Sequence, residues 1–68
     1  MLRALLVEAR ERSGLTQTDV AKALGKRQSF VSKYESGERK LEVVEFVLVC
    51  QALGLNPKTV IAKIEEML

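Results

Sequence analysis

Five polar side chains in the run QSFVSKYES, residues 28–36, are of the kinds that hydrogen-bond bases and phosphates. The Gln28 amide can bond adenine through two atoms at once, and the Lys33 ammonium suits the acceptors of guanine. The hydroxyls of Ser29, Ser32 and Ser36 adapt to either role. Wound at about 100° per residue, the run gathers Gln28, Ser29, Ser32, Lys33 and Ser36 on one side. Phe30, Val31 and Tyr34 fall on the other, and Glu35 lies only at the flank. Such a helix has one face to bury and one that is free of acids. An ordinary solvated face uses the same residue types, so the run alone does not separate the two readings.

Covalent chemistry has far less to work with. The chain has no histidine, and Cys50 has no cysteine partner. It shows neither a phosphate-cradling glycine loop nor a plausible set of metal ligands, so the sequence points away from an enzyme and from a bound cofactor. The net charge of +2 conceals an asymmetry. Between Lys22 and Lys40, six basic residues (Lys22, Lys26, Arg27, Lys33, Arg39, Lys40) face only Glu35 and Glu38, whereas the rest of the chain is mildly acidic. A basic centre in an acidic body is suited to a polyanion.

These residues need a scaffold, and 68 residues allow one small domain, expected to span 1–68. A chain of this size buries only about 60% of its unfolded surface, so association with a partner is natural support. The hydrophobic content of 47% and charged content of 29% are globular values. The apolar run Phe46–Cys50 is far too short to cross a bilayer, and the N-terminus lacks a signal-peptide layout. A lone cysteine suits a reducing compartment, and the cytoplasm, at the nucleoid, is expected.

The periodicity predicts an all-α chain of five helices with no strand-like alternation. The first covers about Leu2 to Arg12 through Leu2, Leu5, Leu6 and Ala9, and Ser13-Gly14 stops it. Thr16, with Asp19 three residues on, reads as a capping box for a second helix from Gln17 to Leu24, with Val20, Ala21 and Leu24 inward. Gly25 ends that helix, Lys26 and Arg27 complete a tight turn, and the third helix runs from Gln28 to Ser36, closed by Gly37. A fourth helix from about Glu42 to Leu53 is apolar almost all round. Asn56-Pro57 starts a fifth, whose Val60, Ile61, Ile64, Met67 and Leu68 form a narrow stripe.

A short helix, a glycine turn and a second helix make the layout that projects one helix into a DNA major groove. The run LTQTDVAKALGKRQSFVSKYESGERK resembles the helix-turn-helix of the Cro and lambda-repressor class of regulators, the xenobiotic-response-element type. The resemblance extends from Leu6 to Ala52-Leu53-Gly54, and Leu15-Thr16-Gln17, Leu24-Gly25 and the run Tyr34 to Arg39 carry it most specifically. It implies a compact five-helix lambda-repressor-like fold with the motif at about 16–36, and a sequence-specific, repressor-like regulator of double-stranded DNA. Gln17 then matches a phosphate-touching residue, and Gln28, Ser29, Ser32 and Lys33 match the base-reading face. Arg39 and Lys40 match loop positions along the backbone or minor groove, and Lys26 and Arg27 join the DNA-binding set from the turn. Arg10 and Glu35 match a structural ion pair.

Arg27 stands where the family often has a small capping residue, so the third helix is expected to lack a side-chain cap. Leu41-Glu42 replaces a frequent Pro-Ser, which predicts a less sharply defined fourth helix start. Phe30 reads as packing, Tyr34 as a core-edge residue whose hydroxyl reaches solvent or phosphate, and Cys50 as a small hydrophobe. One recognition helix reads too few base pairs to find an operator, so a homodimer on a palindrome is expected. Surplus apolar residues on the fourth and fifth helices (Val44, Val47, Leu48, Ile61, Ile64, Met67, Leu68) supply its surface. The competing uses of the same fold are a coactivator-like protein-interaction module and the DNA-binding component of a toxin–antitoxin or restriction-modification control operon.

Overall fold

Each helix in the structure begins and ends where local chemistry allows. The computed structural model describes residues 2–68, and among these the elements are α1 (Leu2–Arg12), α2 (Gln17–Leu24), α3 (Gln28–Ser36), α4 (Val43–Ala52) and α5 (Pro57–Met67). At the start of α2 the Asp19 N–H donates to Thr16 Oγ1 at 3.0 Å, while the Thr16 N–H donates to Asp19 Oδ2 at 2.9 Å. Two otherwise orphaned donors are thereby satisfied. The bond from the Thr16 N–H holds the Asp19 carboxyl below its ordinary value. Gly25 adopts φ +67°, and the N–H groups of Gly25 and Lys26 return to the carbonyls of Lys22 and Ala21. This left-handed residue turns the chain within two positions and lets α3 start at Gln28.

The start of α3 has no side-chain cap, as the presence of Arg27 predicts; the Phe30 N–H instead bonds the Arg27 carbonyl at 3.0 Å. The start of α4 is firmer than Leu41-Glu42 suggests. Glu45 reaches back to accept the Glu42 N–H at 3.0 Å, replacing the expected serine-type cap by its reciprocal half. Asn56 caps α5 by accepting the Lys58 N–H at 2.9 Å, and Pro57 occupies the first turn where no donor is needed.

The core is formed by Leu6 of α1, Val20 and Ala21 of α2, Val31 and Tyr34 of α3, Phe46, Val49 and Cys50 of α4, Leu53 and Val60. Helices α2 and α3 pack most closely, α4 covers α2, and α1 lies against α3. Burial of Leu6 joins α1 to this centre, and truncating such a residue typically costs about 2–5 kcal/mol. No single helix among the described residues is long and apolar enough to cross a membrane. Between α4 and α5 the axis bends by 114°.

Three expectations need correction. The Tyr34 hydroxyl reaches neither solvent nor any polar group of the protein: the residue is 2% exposed and its hydroxyl is buried without a partner. Its ring stacks edge-on with Phe30, and burial pushes its phenol up to about 12. The stripe on α5 divides, with Val60 buried and Ile64 half-buried, but Ile61, Met67 and Leu68 exposed. Val47 also packs against the core, which leaves Val43, Val44 and Leu48 as the exposed apolar residues of α4.

Candidate nucleic-acid interface

The surface around α3 is organised by one chain of hydrogen bonds. Arg10 donates from Nε to Glu35 Oε2 at 2.7 Å and from Nη2 to Glu35 Oε1 at 3.1 Å. Its third donor, Nη1, bonds the Leu15 carbonyl at 2.8 Å and so ties α1 to the start of the motif. The ion pair implied by the resemblance is present, with side chains only 14% and 7% exposed. Hydrogen bonding to Glu35 raises the Arg10 guanidinium further above its ordinary value. Glu35 is therefore directed into the protein, and its charge is not offered to a polyanion.

The ion pair continues into two amide side chains, a linkage with no signal in the sequence. Gln17 Nε2 donates to Glu35 Oε1 at 2.9 Å, and Gln28 Nε2 donates to Gln17 Oε1 at 2.6 Å. An ionised Glu35 can only accept, so Gln17 must present its NH2 group to it and its carbonyl oxygen to Gln28. Gln28 is left with one N–H and its own carbonyl oxygen. That donor and acceptor are what the N7 and N6 positions of adenine require. Gln17 and Gln28 lie eleven residues apart and meet only because the Gly25 turn brings the first turns of α2 and α3 together.

Along the remainder of the face, Ser29 and Lys33 are exposed and Ser32 is half-buried. The Ser36 hydroxyl bonds the Lys33 carbonyl at 3.1 Å, so it is engaged within its own helix. No acid interrupts the row Gln28, Ser29, Ser32, Lys33.

The flanking cations are arranged about Phe30. Lys26 Nζ lies 5.7 Å from the ring centroid and the Arg39 guanidinium 5.2 Å from it, both within the range of cation–π attraction. Arg39 also pairs with Glu45 of α4, an acid that the sequence reading overlooked. Bonds from the Glu42 N–H and from Arg39 hold the Glu45 carboxyl below the usual carboxylate range. The position of Glu45 three residues into α4, beyond a loop containing Arg39, was the available signal. Arg27 and Lys40 stand exposed on the turn and on the loop. The nine expected residues thus form a bonded pair, Gln17 with Gln28; two cations on one ring, Lys26 and Arg39; and the individually projecting Arg27, Ser29, Ser32, Lys33 and Lys40.

The Helix-turn-helix family model matches residues 6–60. The chain belongs to this family. The helix-turn-helix domain is similar to an XRE-family like protein from Pseudomonas syringae pv. tomato str. DC3000, at 47% identity and a TM-score of 0.94, covering 97% of this chain and 80% of that one. It is also similar to the clp gene regulator ClgR from C. glutamicum, at 25% identity and a TM-score of 0.85 over 98% and 87% of the two chains. A third similar structure is the restriction-modification controller protein C.AhdI from Aeromonas hydrophila, at 29% identity and a TM-score of 0.79 over 87% and 89%. No curated protein matches the sequence. Helix-turn-helix proteins of this type are DNA-binding transcription regulators and not enzymes, and this chain is one of them.

Proposed function

We propose that this helix-turn-helix protein acts as one domain over residues 1–68 and binds a palindromic operator as a symmetric, repressor-like dimer. The observation that carries sequence-specific recognition is the Gln28 amide. It is oriented through Gln17 by the Arg10–Glu35 pair and stands at the head of the acid-free row Ser29, Ser32, Lys33. A side chain held in one orientation loses less freedom on binding and so contributes more discrimination between bases. In this reading Gln28, Ser29, Ser32 and Lys33 face base edges in the major groove. Gln17, with the first N–H groups of α2, and Lys26, Arg27, Arg39 and Lys40 take phosphates. The protein works in the cytoplasm, at the nucleoid.

Dimerisation is supported by Val43, Val44 and Leu48 of α4 together with Ile61, Met67 and Leu68 of α5, all between 46% and 91% exposed. So much uncovered apolar surface is unusual on a domain this small, and a self-complementary contact would bury it while leaving the α2–α3 surface open. Two recognition helices so related would read half-sites about 34 Å apart. Likeness to a restriction-modification controller protein favours a control-operon role as the second reading.

The test is selection of bound sequences from a random duplex pool, followed by salt titration of the selected site. With about four to six phosphates neutralised per dimer, log K should fall against log salt with a slope of about −4 to −5. An affinity indifferent to both salt and sequence would refute the proposal and favour the protein-interaction module.

A further inference from the structure

A cleft at the far end of α3 contains polar side chains of one kind only. Leu2, Arg3 and Leu6 of α1 form one wall, and Gly37, Arg39, Lys40 and Leu41 of the α3–α4 loop form the other, with Tyr34 between them. Every polar side chain in this lining is a donor: two guanidinium groups, an ammonium and a phenol. The chain has nine acids, and none of them lines the cleft. Arg39 is already paired with Glu45, whereas Arg3 and Lys40 have no ion-pair partner among the described residues.

Arg3 lies thirteen positions before the helix-turn-helix motif begins at Thr16, and in sequence nothing connects it to the basic centre. The structure connects it through Gly37. The Arg3 guanidinium lies over this residue, which ends α3 at φ +87°, and a Cβ there would overlap it. Absence of a side chain at Gly37 thus lets a cation from α1 rest on the end of the recognition helix, beside Arg39 and Lys40. Arg3 and Lys40, two cations without an ion-pair partner about one opening that no carboxylate lines, are suited to an oxyanion.

We propose that this cleft is a phosphate-binding site and that Arg3, with Lys40, takes a DNA backbone phosphate beyond the bases read by α3. The inference rests on the DNA-binding reading and extends the interface onto α1. A duplex phosphate is favoured over a free anion because the cleft is continuous with the exposed loop that succeeds the recognition helix.

The experiment compares Arg3→Gln with Arg12→Gln, an equal charge change on the opposite end of α1, where Arg12 pairs with Glu8. Each full chain is titrated with a duplex carrying the selected site, between about 50 and 200 mM salt. Loss of one phosphate contact reduces the slope by about 0.9 per bound protomer. The advantage of wild type over Arg3→Gln should therefore shrink about 3.5-fold per protomer across that range. Arg12→Gln should run parallel to wild type, and the selected sequence should be unchanged in both variants. A contact that merely packs Arg3 on Gly37 would not alter the salt slope. Parallel lines for Arg3→Gln and Arg12→Gln would overturn the proposal alone, whereas failure of wild type to bind any duplex would remove the parent reading and this one with it. Inorganic phosphate forms the second arm. Saturable binding to wild type that Arg3→Gln abolishes, with unchanged duplex slopes, would assign the cleft to a free anion and overturn its assignment to DNA.

Discussion

Replacing Glu35 by alanine removes the centre of the network that links α1, α2 and α3. The variant loses two charge-assisted bonds from Arg10 and one bond from Gln17. Arg10 keeps only its bond to the Leu15 carbonyl, with its side chain 14% exposed, so its charge remains largely desolvated. Breaking one partner of a fully buried pair costs about 3–5 kcal/mol; the residual exposure here places the expected loss near ~3 kcal/mol. At about 2.1 cal/mol/K per residue, unfolding 68 residues has an entropy of about 0.14 kcal/mol/K, so Tm should fall by roughly 20 °C. That is a large part of the stability of such a domain, about 3–10 kcal/mol on per-residue averages. Urea titration monitored by circular dichroism at low temperature keeps the variant measurable. The companion Arg10→Met, Glu35→Leu leaves no uncompensated charge and should be less destabilised than the sum of its single variants. A Tm within about 5 °C of wild type for Glu35→Ala, or strict additivity in the cycle, would show that the pair does not carry the network.

Four other contacts lead to outcomes of their own. Lys33→Ala should cost about 1–3 kcal/mol at the best site and relax preference at one base pair per half-site, whereas Arg39→Ala should weaken all sequences about equally; sequence selection with each variant separates the roles. Tyr34→Phe deletes a buried hydroxyl without a partner, so calorimetry should show no loss of stability and a gain of up to about 1 kcal/mol. Wild-type Tyr34 should ionise only near pH 12 by ultraviolet titration, because burial pushes its phenol up to about 12. Asp19 is held below its ordinary value of 3.8 by the Thr16 N–H, so its contribution is full above that value and is lost as pH falls through the lower folded value. Stability of Asp19→Asn should accordingly decline less steeply than wild type below about pH 4, as measured by acid-titrated thermal melts. Leu48→Lys with Ile61→Lys should weaken any dimer at least about tenfold in sedimentation without altering helicity, since both positions are exposed in the protomer.

What the sequence determined by itself is chiefly local. The limits of α1, α2 and α3 match their expected bounds to the residue, because Thr16 with Asp19, Gly25 and Gly37 act on groups only a few positions away. The polar face of α3 was equally readable, since the helical period of about 3.6 residues alone separates Gln28, Ser29, Ser32 and Lys33 from the buried Val31 and Tyr34. Tertiary structure decided which polar atoms meet. Gln28 reaches Gln17, Arg39 reaches Glu45, and Arg3 lies over Gly37 because crossing helices set those distances, and no spacing in the chain encodes them. The same cause separates Ile61 from Val60 and Ile64, and turns the Tyr34 hydroxyl inward. Periodicity identifies the side of a helix on which a group stands, but only the packing of the other helices determines whether that side meets water, an acid or the core.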